Sequence, residues 1–393
     1  MAYAPANRPM YDADSHIMEL PDFLQKYADP ELRADIPAVS YSASLVTDEE
    51  VGVIMARGGR HSEEHVAEMI AMGDSLIERV KEIQALGAFD GSERSKAMDI
   101  LGFKKQLVFA THSVMMPFSP SSKIPPKLRY GAARAHNRHM ADFCAHDSRL
   151  MGVAVVPLDE PAFALEELEF ALKSGAKAIW IAHRPAGGRS PGHVELDPFW
   201  ARLQESDTPF VMHVGGSPLQ LDRAWANNGR PPTKDWMGGG ENLRTKDVAV
   251  LHEGPETFLS MMLIDGVFER FPKLRGGCVE LGAGWVPSML VRLDWVAKIW
   301  GRTDANLARF TRKPSEQLTQ QMAFTPFVFE EVGALIDQSN PDLYLFSTDY
   351  PHTEGGRNPI ARFETSLGAR SDSIRDRFYS GNFLRIFPEA RAS

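Results

Sequence analysis

Residues 10–16, MYDADSH, carry the pattern that decides the fold, because a short strand ends here in acidic and imidazole side chains. Side chains alternate along a strand, so Asp12, Asp14 and His16 are predicted to point the same way. Short β-branched or apolar runs recur along the chain and alternate with stretches of helical periodicity, which indicates βα units. This alternation predicts strands at 10–16, 105–111, 151–157, 176–182, 208–213, 275–281, 321–325 and 343–348.

Strands in this number indicate an α/β fold of the (β/α)8 TIM-barrel type rather than an open sheet. The helices predicted between them lie at 126–147, 160–173, 197–206, 256–270, 285–300, 328–338 and 371–387. Two connections, at about 17–104 after the first strand and 214–255 after the fifth, are longer than ordinary loops. We therefore predict one barrel domain over residues 1–393, with two insertions that cover the active face.

The composition favours a globular protein that acts on a small molecule. The formal net charge is −9 and there is no basic run, which argues against binding to nucleic acid. Two cysteines, Cys144 and Cys278, are too few for a disulfide framework. No secretory signal and no apolar run of about 18 residues is visible, so we expect a cytoplasmic protein without a membrane partner. A homo-oligomer, most simply a dimer, is expected from symmetry preferences alone.

Chemistry-bearing side chains follow three of the predicted strands. In a (β/α)8 barrel the carboxyl ends of all strands open onto one face, where active sites lie. The first strand supplies Asp14 and His16, the fifth ends in His213 of FVMHVGG, and the eighth, LYLFSTDYPH, ends in Asp349. Two carboxylates and two imidazoles form a mixed donor set that suits zinc or manganese. We predict one divalent ion per chain, with positions left open for water or substrate.

Further strand-end residues are predicted to bind the substrate. Arg184 offers a planar fork that matches a carboxylate, although a salt bridge at the barrel rim explains this residue at least as well. The other candidates are imidazoles, namely His112, His183, His252 and His352. His61 and His65 also have a metal-like i, i+4 spacing, but the charged amphipathic stretch around them predicts a solvated helix face.

The chain resembles the amidohydrolase superfamily, in the amidohydrolase-related group that includes aminocarboxymuconate semialdehyde decarboxylase and the resorcylate-type decarboxylases. The segments that carry the resemblance are YDADSHIMEL, FVMHVGG, LIDGVFERFPKLRGGCVELGAGW, LFSTDYPHTEG and FYSGNFLRIF. It covers most of the chain outside the two insertions and implies a metal-dependent barrel. By this resemblance, Asp14 and His16 stand at the family's first-strand pair, His213 at its fifth-strand histidine and Asp349 at its eighth-strand aspartate.

Two positions depart from the family's pattern. Asp14 stands where the family carries a histidine or a glutamate, and its shorter side chain implies an ion nearer the first strand or a weaker ligand. Glu280, in GCVELGAGW, stands where decarboxylases of this group commonly carry a histidine that transfers a proton. We expect Glu280 to act as a general acid or base, to orient a ligating histidine, or to form a structural salt bridge.

The resemblance leaves two reactions open, with catalytic roles expected for His213, Glu280 and Asp349. The favoured one is non-oxidative decarboxylation of an aromatic or unsaturated acid, in which Glu280 or a metal-bound water delivers the proton. The alternative is hydrolysis of a C–N, ester or C–C bond by metal-activated water, with Asp349 as general base. The missing histidine favours hydrolysis, whereas the mononuclear donor set and the resemblance favour decarboxylation. A binding protein on the same fold would carry inert residues at the ligand positions.

Overall fold

The chain forms a ring of parallel strands inside a layer of helices. The computed structural model describes residues 2–41, 46–217, 221–231 and 244–391. Within them the strands are β1 (Tyr11–Asp12), β2 (His16–Ile17), β3 (Lys105–Ala110), β4 (Leu150–Val155), β5 (Ala178–Trp180), β6 (Phe210–His213), β7 (Gly276–Val279) and β8 (Met322–Phe324). The order is β1-β3-β4-β5-β6-β7-β8, with every pair parallel, and β2 also pairs with β3. β4 is buried along its whole length, as expected of a parallel strand covered on both faces.

Residues 344–350 close the ring between β8 and the first strand. On one side the Leu345 N–H donates to the Phe324 carbonyl at 2.9 Å, and on the other the Ala13 N–H donates to the Phe346 carbonyl at 3.0 Å. The predicted eighth strand therefore lies where a barrel requires it, although it pairs through isolated bridges instead of a continuous ladder. The fold is that of a TIM barrel.

The predicted first strand is interrupted in the middle. β1 ends at Asp12 and β2 begins at His16. Between them the Asp14 N–H donates to Asp12 Oδ1 at 3.3 Å, a local bond that competes with strand pairing. The side chains of Asp12 and Asp14 consequently have different partners, as described below, rather than sharing one site.

Helices surround the strands and bury their apolar faces against them. They are α1 (Phe23–Tyr27), α2 (Asp48–Ala56), α3 (Glu63–Ala71), α4 (Leu76–Arg79), α5 (Gly91–Leu101), α6 (Pro126–Cys144), α7 (Pro161–Lys173), α8 (Asp197–Glu205), α9 (Thr245–Val250), α10 (Glu253–Ile264), α11 (Val267–Arg270), α12 (Val286–Trp300), α13 (Pro314–Gln321), α14 (Val332–Gln338), α15 (Pro359–Leu367), α16 (Asp372–Asp376) and α17 (Asn382–Ile386). α5 shows why such a segment is helical: the Asp90 carboxylate caps its first turn, and Gly102 at φ 78° ends it.

Two of the predicted helices are broken. The helix predicted at 256–270 is divided into α10 and α11 by Gly266, whose φ of 74° cannot continue a right-handed helix. The helix predicted at 371–387 contains a π-helical turn at Arg377–Gly381 between α16 and α17. The π-helical turn contacts the segment that closes the ring, since the Phe346 N–H donates to the Phe378 carbonyl at 3.1 Å.

The segments predicted as insertions carry helices of their own. α1 to α5 lie between β2 and β3, and α9 follows β6. Residues 218–220 and 232–243 of the second segment lie outside the described residues. Among the helices that are described, none combines the length and the apolar character that a membrane crossing requires. The assignment of residues 1–393 to one domain stays a prediction.

The prediction that His61 and His65 lie on a solvated face is wrong. His61 is buried, with Nδ1 2.8 Å from Glu93 Oε2 and Nε2 2.9 Å from the Ile83 carbonyl. His65 Nε2 lies 2.8 Å from the Gln84 carbonyl. The two imidazoles tie α3 to the chain between α4 and α5, whereas the glutamates of α3 are exposed.

Candidate metal centre

Side chains able to bind a metal ion meet at the carboxyl end of the barrel. They are Asp14, His16, His213, Glu280, Asp349 and His352, and all of them are buried. Each offers a ligand atom to one of two overlapping groups, in which all ligand atoms lie within 4.8 Å of one another. The first group contains Asp14, His16, His213 and Glu280, and the second contains His16, Glu280, Asp349 and His352.

The shortest distances join imidazole nitrogens to carboxylate oxygens. Asp14 Oδ1 lies 3.2 Å from Nε2 of both His16 and His213. Glu280 Oε2 lies 3.3 Å from His213 Nε2, and Asp349 Oδ1 lies 3.5 Å from His16 Nε2. The structure thus brings together the four predicted ligands and places Glu280 beside them.

Hydrogen bonds behind the imidazoles fix which nitrogen faces the carboxylates. His213 Nδ1 lies 2.8 Å from the Val214 carbonyl, and His16 Nδ1 lies 3.2 Å from the Ala110 carbonyl. A carbonyl oxygen only accepts, so each Nδ1 carries a proton and each Nε2 faces the acidic groups. A positive charge must lie between each Nε2 and the Asp14 oxygen 3.2 Å away: a proton in an imidazolium–carboxylate pair, or the cation itself when an ion is bound. The donor set therefore fits a divalent cation.

The carboxylate of Asp14 is ionised at neutral pH. Burial acts to raise its pKa, but His213 and His16 beside it hold the pKa below its usual range. An ionised oxygen at the centre of the group is the form that a hard or borderline cation binds.

Two of the acidic residues have a backbone conformation that non-glycine residues rarely adopt. Glu280 has φ 51° and Asp349 has φ 55°. The Glu280 N–H donates to Thr325 Oγ1 at 2.8 Å, and the Asp349 N–H donates to the Asp14 carbonyl at 2.9 Å. Such strain persists where surrounding contacts hold it, and it is concentrated at functional sites.

A polar layer below the ligands joins the first and last strands. Asp12 accepts hydrogen bonds from Gln106 Nε2 at 2.8 Å and from Thr348 Oγ1 at 2.6 Å. The fully buried Arg94 donates to Gln106 Oε1 at 3.1 Å and to the main-chain carbonyl of His16. Burial raises the pKa of Asp12 to about 7 in spite of these bonds. The oxygens of Asp12 therefore bind neighbouring side chains beneath the site and connect the strands that carry it, rather than facing the other acidic groups.

The turn after β3 is fixed by Glu19. Its carboxylate accepts the backbone N–H groups of Thr111, His112 and Ser113 at 3.0, 2.9 and 2.8 Å. Thr111 Oγ1 in turn lies 2.9 Å from Nε2 of His352. Glu19 thereby holds the residue that supports His352, whose ring stacks on His16 at a centroid distance of 3.9 Å.

Two cavities lie near the ligands. A small one of about 20 Å³ is lined by residues that include Asp14, Glu280, Asp349 and Glu354. This is the room that a single ion or water molecule occupies. A second cavity, of about 510 Å³, lies at the mouth between the loops after β5 and β6. That volume is in the range of small-molecule sites.

The larger cavity has a polar end and an apolar wall. Its lining includes His183, Ser217, Leu251, Thr257, Phe258 and Met261. Burial lowers the pKa of His183 to about 3, and the nearby His213 adds to this shift, so the His183 imidazole is neutral. The ring lies so close to Gly254 that an added Cβ would be 2.9 Å from His183 Cδ2. Larger residues at position 254 would displace the imidazole.

The remaining predicted substrate-binding residues lie outside the ligand groups. Arg184 forms two hydrogen bonds of 3.0 Å with Asp159 and further bonds with the carbonyls of Phe118 and Ser119, so its fork is engaged at the barrel rim. His112 packs edge-on against Tyr41. His252 immediately precedes α10 and is half-buried. Their roles in substrate binding stay predictions.

One residue near the centre was missed from the sequence. Lys81 precedes Glu82 in the stretch KEIQALG, whose sequence pattern is typical of a surface helix. Its amine is buried and within electrostatic reach of Asp349 and Glu354. No local signal in the sequence marks this lysine, because its position depends on contacts of the neighbouring Glu82 with Pro351 and Thr353, in the loop that follows residues 344–350.

A family model and curated relatives match this chain. The Amidohydrolase family model matches residues 85–388. Gamma-resorcylate decarboxylase from Rhodococcus jostii is 28% identical over 232 residues, which cover 56% of this chain and 66% of that protein. The match thus spans slightly less than two thirds of that relative's length.

Solved structures share the fold. An amidohydrolase from Mycobacterium avium subsp. paratuberculosis has a TM-score of 0.73 at 20% identity and covers 98% of this chain and 100% of its own. A dihydroxybenzoic acid decarboxylase from Polaromonas, solved with manganese and the inhibitor 2-nitroresorcinol, has a TM-score of 0.63 at 18% identity and covers 98% of both chains. With the family model spanning most of the sequence, the resemblance first drawn from five segments is confirmed, and the chain belongs to the amidohydrolase family.

Proposed function

We propose that this protein is a metal-dependent carboxy-lyase that removes CO2 from an aromatic acid without oxidation. The observation that carries the proposal is the inward Nε2 atom of both His16 and His213, fixed by the Nδ1 contacts to carbonyls and directed at the ionised carboxylate of Asp14. Relatives described as resorcylate decarboxylases support the reaction, at modest identity.

Asp14, His16, His213 and Asp349 would hold one divalent ion, manganese or zinc. When bound, such an ion would supply Lewis-acid stabilisation of negative charge on substrate oxygens. The mixed set of carboxylates and imidazoles suits either ion, and manganese is favoured because it is the ion in the Polaromonas neighbour. The main-chain contacts of His16 and His213 keep both rings oriented for this role.

The cavity of about 510 Å³ would receive the ring of the substrate. Its wall of Leu251, Phe258 and Met261 suits an aromatic face. The neutral imidazole of His183 and the buried hydroxyl of Ser217 would bind polar substituents of the ring at the end near His213.

Decarboxylation requires one proton at the carbon that loses the carboxylate. The C–C bond breaks, CO2 leaves, and the electron pair that remains on the ring carbon takes up the proton. We assign the delivery of this proton to Glu280, which belongs to both groups of ligand atoms, lies with Oε2 3.3 Å from His213 Nε2 and has its backbone held by Thr325. A carboxyl group here replaces the histidine that related decarboxylases use.

The test combines metal analysis with detection of CO2. Wild-type protein, His213→Ala and Asp349→Ala are purified, reconstituted with Mn²⁺ and Zn²⁺ in parallel, and analysed for bound metal. We expect near one equivalent per chain in the wild type and a loss in both variants. Wild-type protein is then supplied with a panel of aromatic acids that includes 2,6-dihydroxybenzoate, and the release of CO2 is measured.

Each outcome has a distinct meaning. Metal binding together with CO2 release supports the carboxy-lyase. Metal binding without CO2 release from any acid in the panel would favour the hydrolase, in which Asp349 serves as the base for an attacking water. A wild-type chain that binds no metal after reconstitution would overturn the proposal as a whole.

A further inference from the structure

The turn that follows β7 carries Glu280 and is held by a carboxylate that belongs to neither of the two ligand groups. This carboxylate is Glu330, in the loop between β8 and α14. Its Oε1 accepts the Gly284 N–H at 2.7 Å, and the Ala283 N–H lies 3.1 and 3.0 Å from its two oxygens. A carboxylate that accepts backbone N–H groups makes charge-assisted hydrogen bonds, which are stronger than those of a neutral acceptor.

The same carboxylate holds the loop after β8. The Phe327 N–H donates to Glu330 Oε2 at 2.7 Å, and the Glu330 N–H donates to the Phe327 carbonyl at 2.9 Å. The two loops also lie against each other, since a Cβ added at Gly282 would be 3.2 Å from the Phe327 ring. Glu330 therefore joins the turn that carries Glu280 to the neighbouring loop, with one oxygen mainly for each.

The two loops that Glu330 joins form one wall of the small cavity at the ligands. The lining of this cavity includes Glu280 from the first loop and Thr325, Phe327 and Val328 from the second. Glu280 has the left-handed φ of 51°, and its N–H donates to Thr325 Oγ1 on the second loop. Such a conformation persists only while the surrounding contacts hold it. The direction of the Glu280 carboxyl thus depends on how the two loops are placed relative to each other.

We propose that Glu330 is a positioning residue for the reaction, because it holds the two loops together and so keeps the Glu280 carboxyl where its proton is delivered. This inference rests on the proposed function, which gives Glu280 that role. Glu330 lines neither the small cavity nor the larger one, so it acts through Glu280 and not on the substrate. A displacement of about 1 Å in a reacting group can cost about 100-fold in rate.

The test is a double-mutant cycle on manganese-loaded protein. The release of CO2 is measured for wild type, Glu330→Ala, Glu280→Gln and the double variant, with the acid of the panel that wild type decarboxylates fastest. We expect Glu330→Ala to lower kcat by about 10- to 100-fold, because Glu280 is displaced. In the Glu280→Gln background the same change should cost less than about threefold, because the group that Glu330 positions no longer donates a proton.

Two further measurements separate positioning from a general structural role. KM for Glu330→Ala should stay within about twofold of wild type, because the larger cavity is unchanged. The variant should also bind near one equivalent of manganese, because the predicted ligands come from other strand ends. Glu330→Gln keeps one acceptor oxygen and should lie between wild type and Glu330→Ala in kcat. Glu331→Ala changes the exposed neighbour and should match wild type.

The outcomes separate the two proposals. If Glu330→Ala is as active as wild type, loses manganese, or slows Glu280→Gln as much as it slows wild type, the role of Glu330 is overturned and the proposed function stands. If Glu330→Ala does not fold, the same cycle with Glu330→Gln gives the decision. If manganese-loaded wild type releases no CO2 from any acid of the panel, the proposed function fails, and the role of Glu330 fails with it.

Discussion

At the scale of single residues, Glu280 is one of the two positions at which the chain departs from the pattern that the resemblance to decarboxylases implies. We predict that Glu280→Gln keeps its metal but releases CO2 at least about 100-fold more slowly, because an amide cannot transfer the proton. The measurement is metal content together with the rate of CO2 release. Glu166→Gln, an exposed glutamate on α7, is the matched control and should behave as wild type. A Glu280→Gln protein without metal would make Glu280 a ligand instead.

The meeting of these donor side chains could be predicted from sequence because strand ends are local signals. Asp14, His16, His213 and Asp349 each follow an apolar run, and parallel strands bring their carboxyl ends to one face. The role of Asp12 could not be predicted this way, since its partners Gln106 and Thr348 come from other strands. Strand alternation predicted only that Asp12 points the same way as Asp14 and His16.

Residues whose roles depend on tertiary contacts were missed or misjudged. His61 was expected in solvent and is buried against Glu93. Glu19 carried no local signal, although it caps three N–H groups after β3. Lys81 lies in an amphipathic stretch that reads as surface. In each case the contacting residue lies on another secondary-structure element. The hydrophobic periodicity of a segment carries no information about contacts with residues so far away in sequence.

At the scale of secondary-structure elements, α5 supports the first strand through Arg94. The guanidinium donates to the carbonyls of His16 and Gly87 and to Gln106. We predict that Arg94→Met lowers the free energy of unfolding by about 3 kcal/mol, because buried acceptors lose their donor. It should also weaken manganese binding, because His16 is no longer held.

This prediction is checked by urea unfolding and by titration of manganese against a competing chelator. Arg202→Met, which breaks an exposed pair with Glu169, should cost less than about 1 kcal/mol and leave the metal affinity unchanged. Arg94→Lys keeps the charge without the fork and should lie between wild type and Arg94→Met in both measurements. An Arg94→Met protein that binds manganese as tightly as wild type would show that α5 does not position the ligands.

At the scale of the whole molecule, buried neutral histidines make stability depend on pH. Burial lowers the pKa of His139 to about 4, while its Nδ1–H donates to the Phe23 carbonyl at 3.0 Å. In the unfolded chain this imidazole becomes protonated near pH 6.5, whereas in the folded protein it stays neutral down to about pH 4. Between these pH values the unfolded state binds more protons, so a fall in pH favours unfolding. The contribution of neutral His139 to the free energy of unfolding is complete above pH 6.5. It is lost as the pH falls towards 4, and the total loss is about 3 kcal/mol.

We predict that His139→Gln, which keeps an N–H donor, loses less stability than wild type between pH 6.5 and pH 4. The measurement is the free energy of unfolding in urea at a series of pH values, with a chelator present so that metal binding is constant. His193→Gln changes an exposed histidine and should retain the wild-type slope. Equal slopes for wild type and His139→Gln would contradict the assignment.

The bond between Asp12 and Thr348 joins residues that lie 336 positions apart in the chain. A ribosome must therefore translate nearly all of the message before the two halves of the donor set can meet. Nascent chains that stall or terminate before Asp349 cannot assemble the complete set of ligands. If these residues hold the ion as we propose, a complete site forms only after synthesis of the polypeptide has passed Asp349.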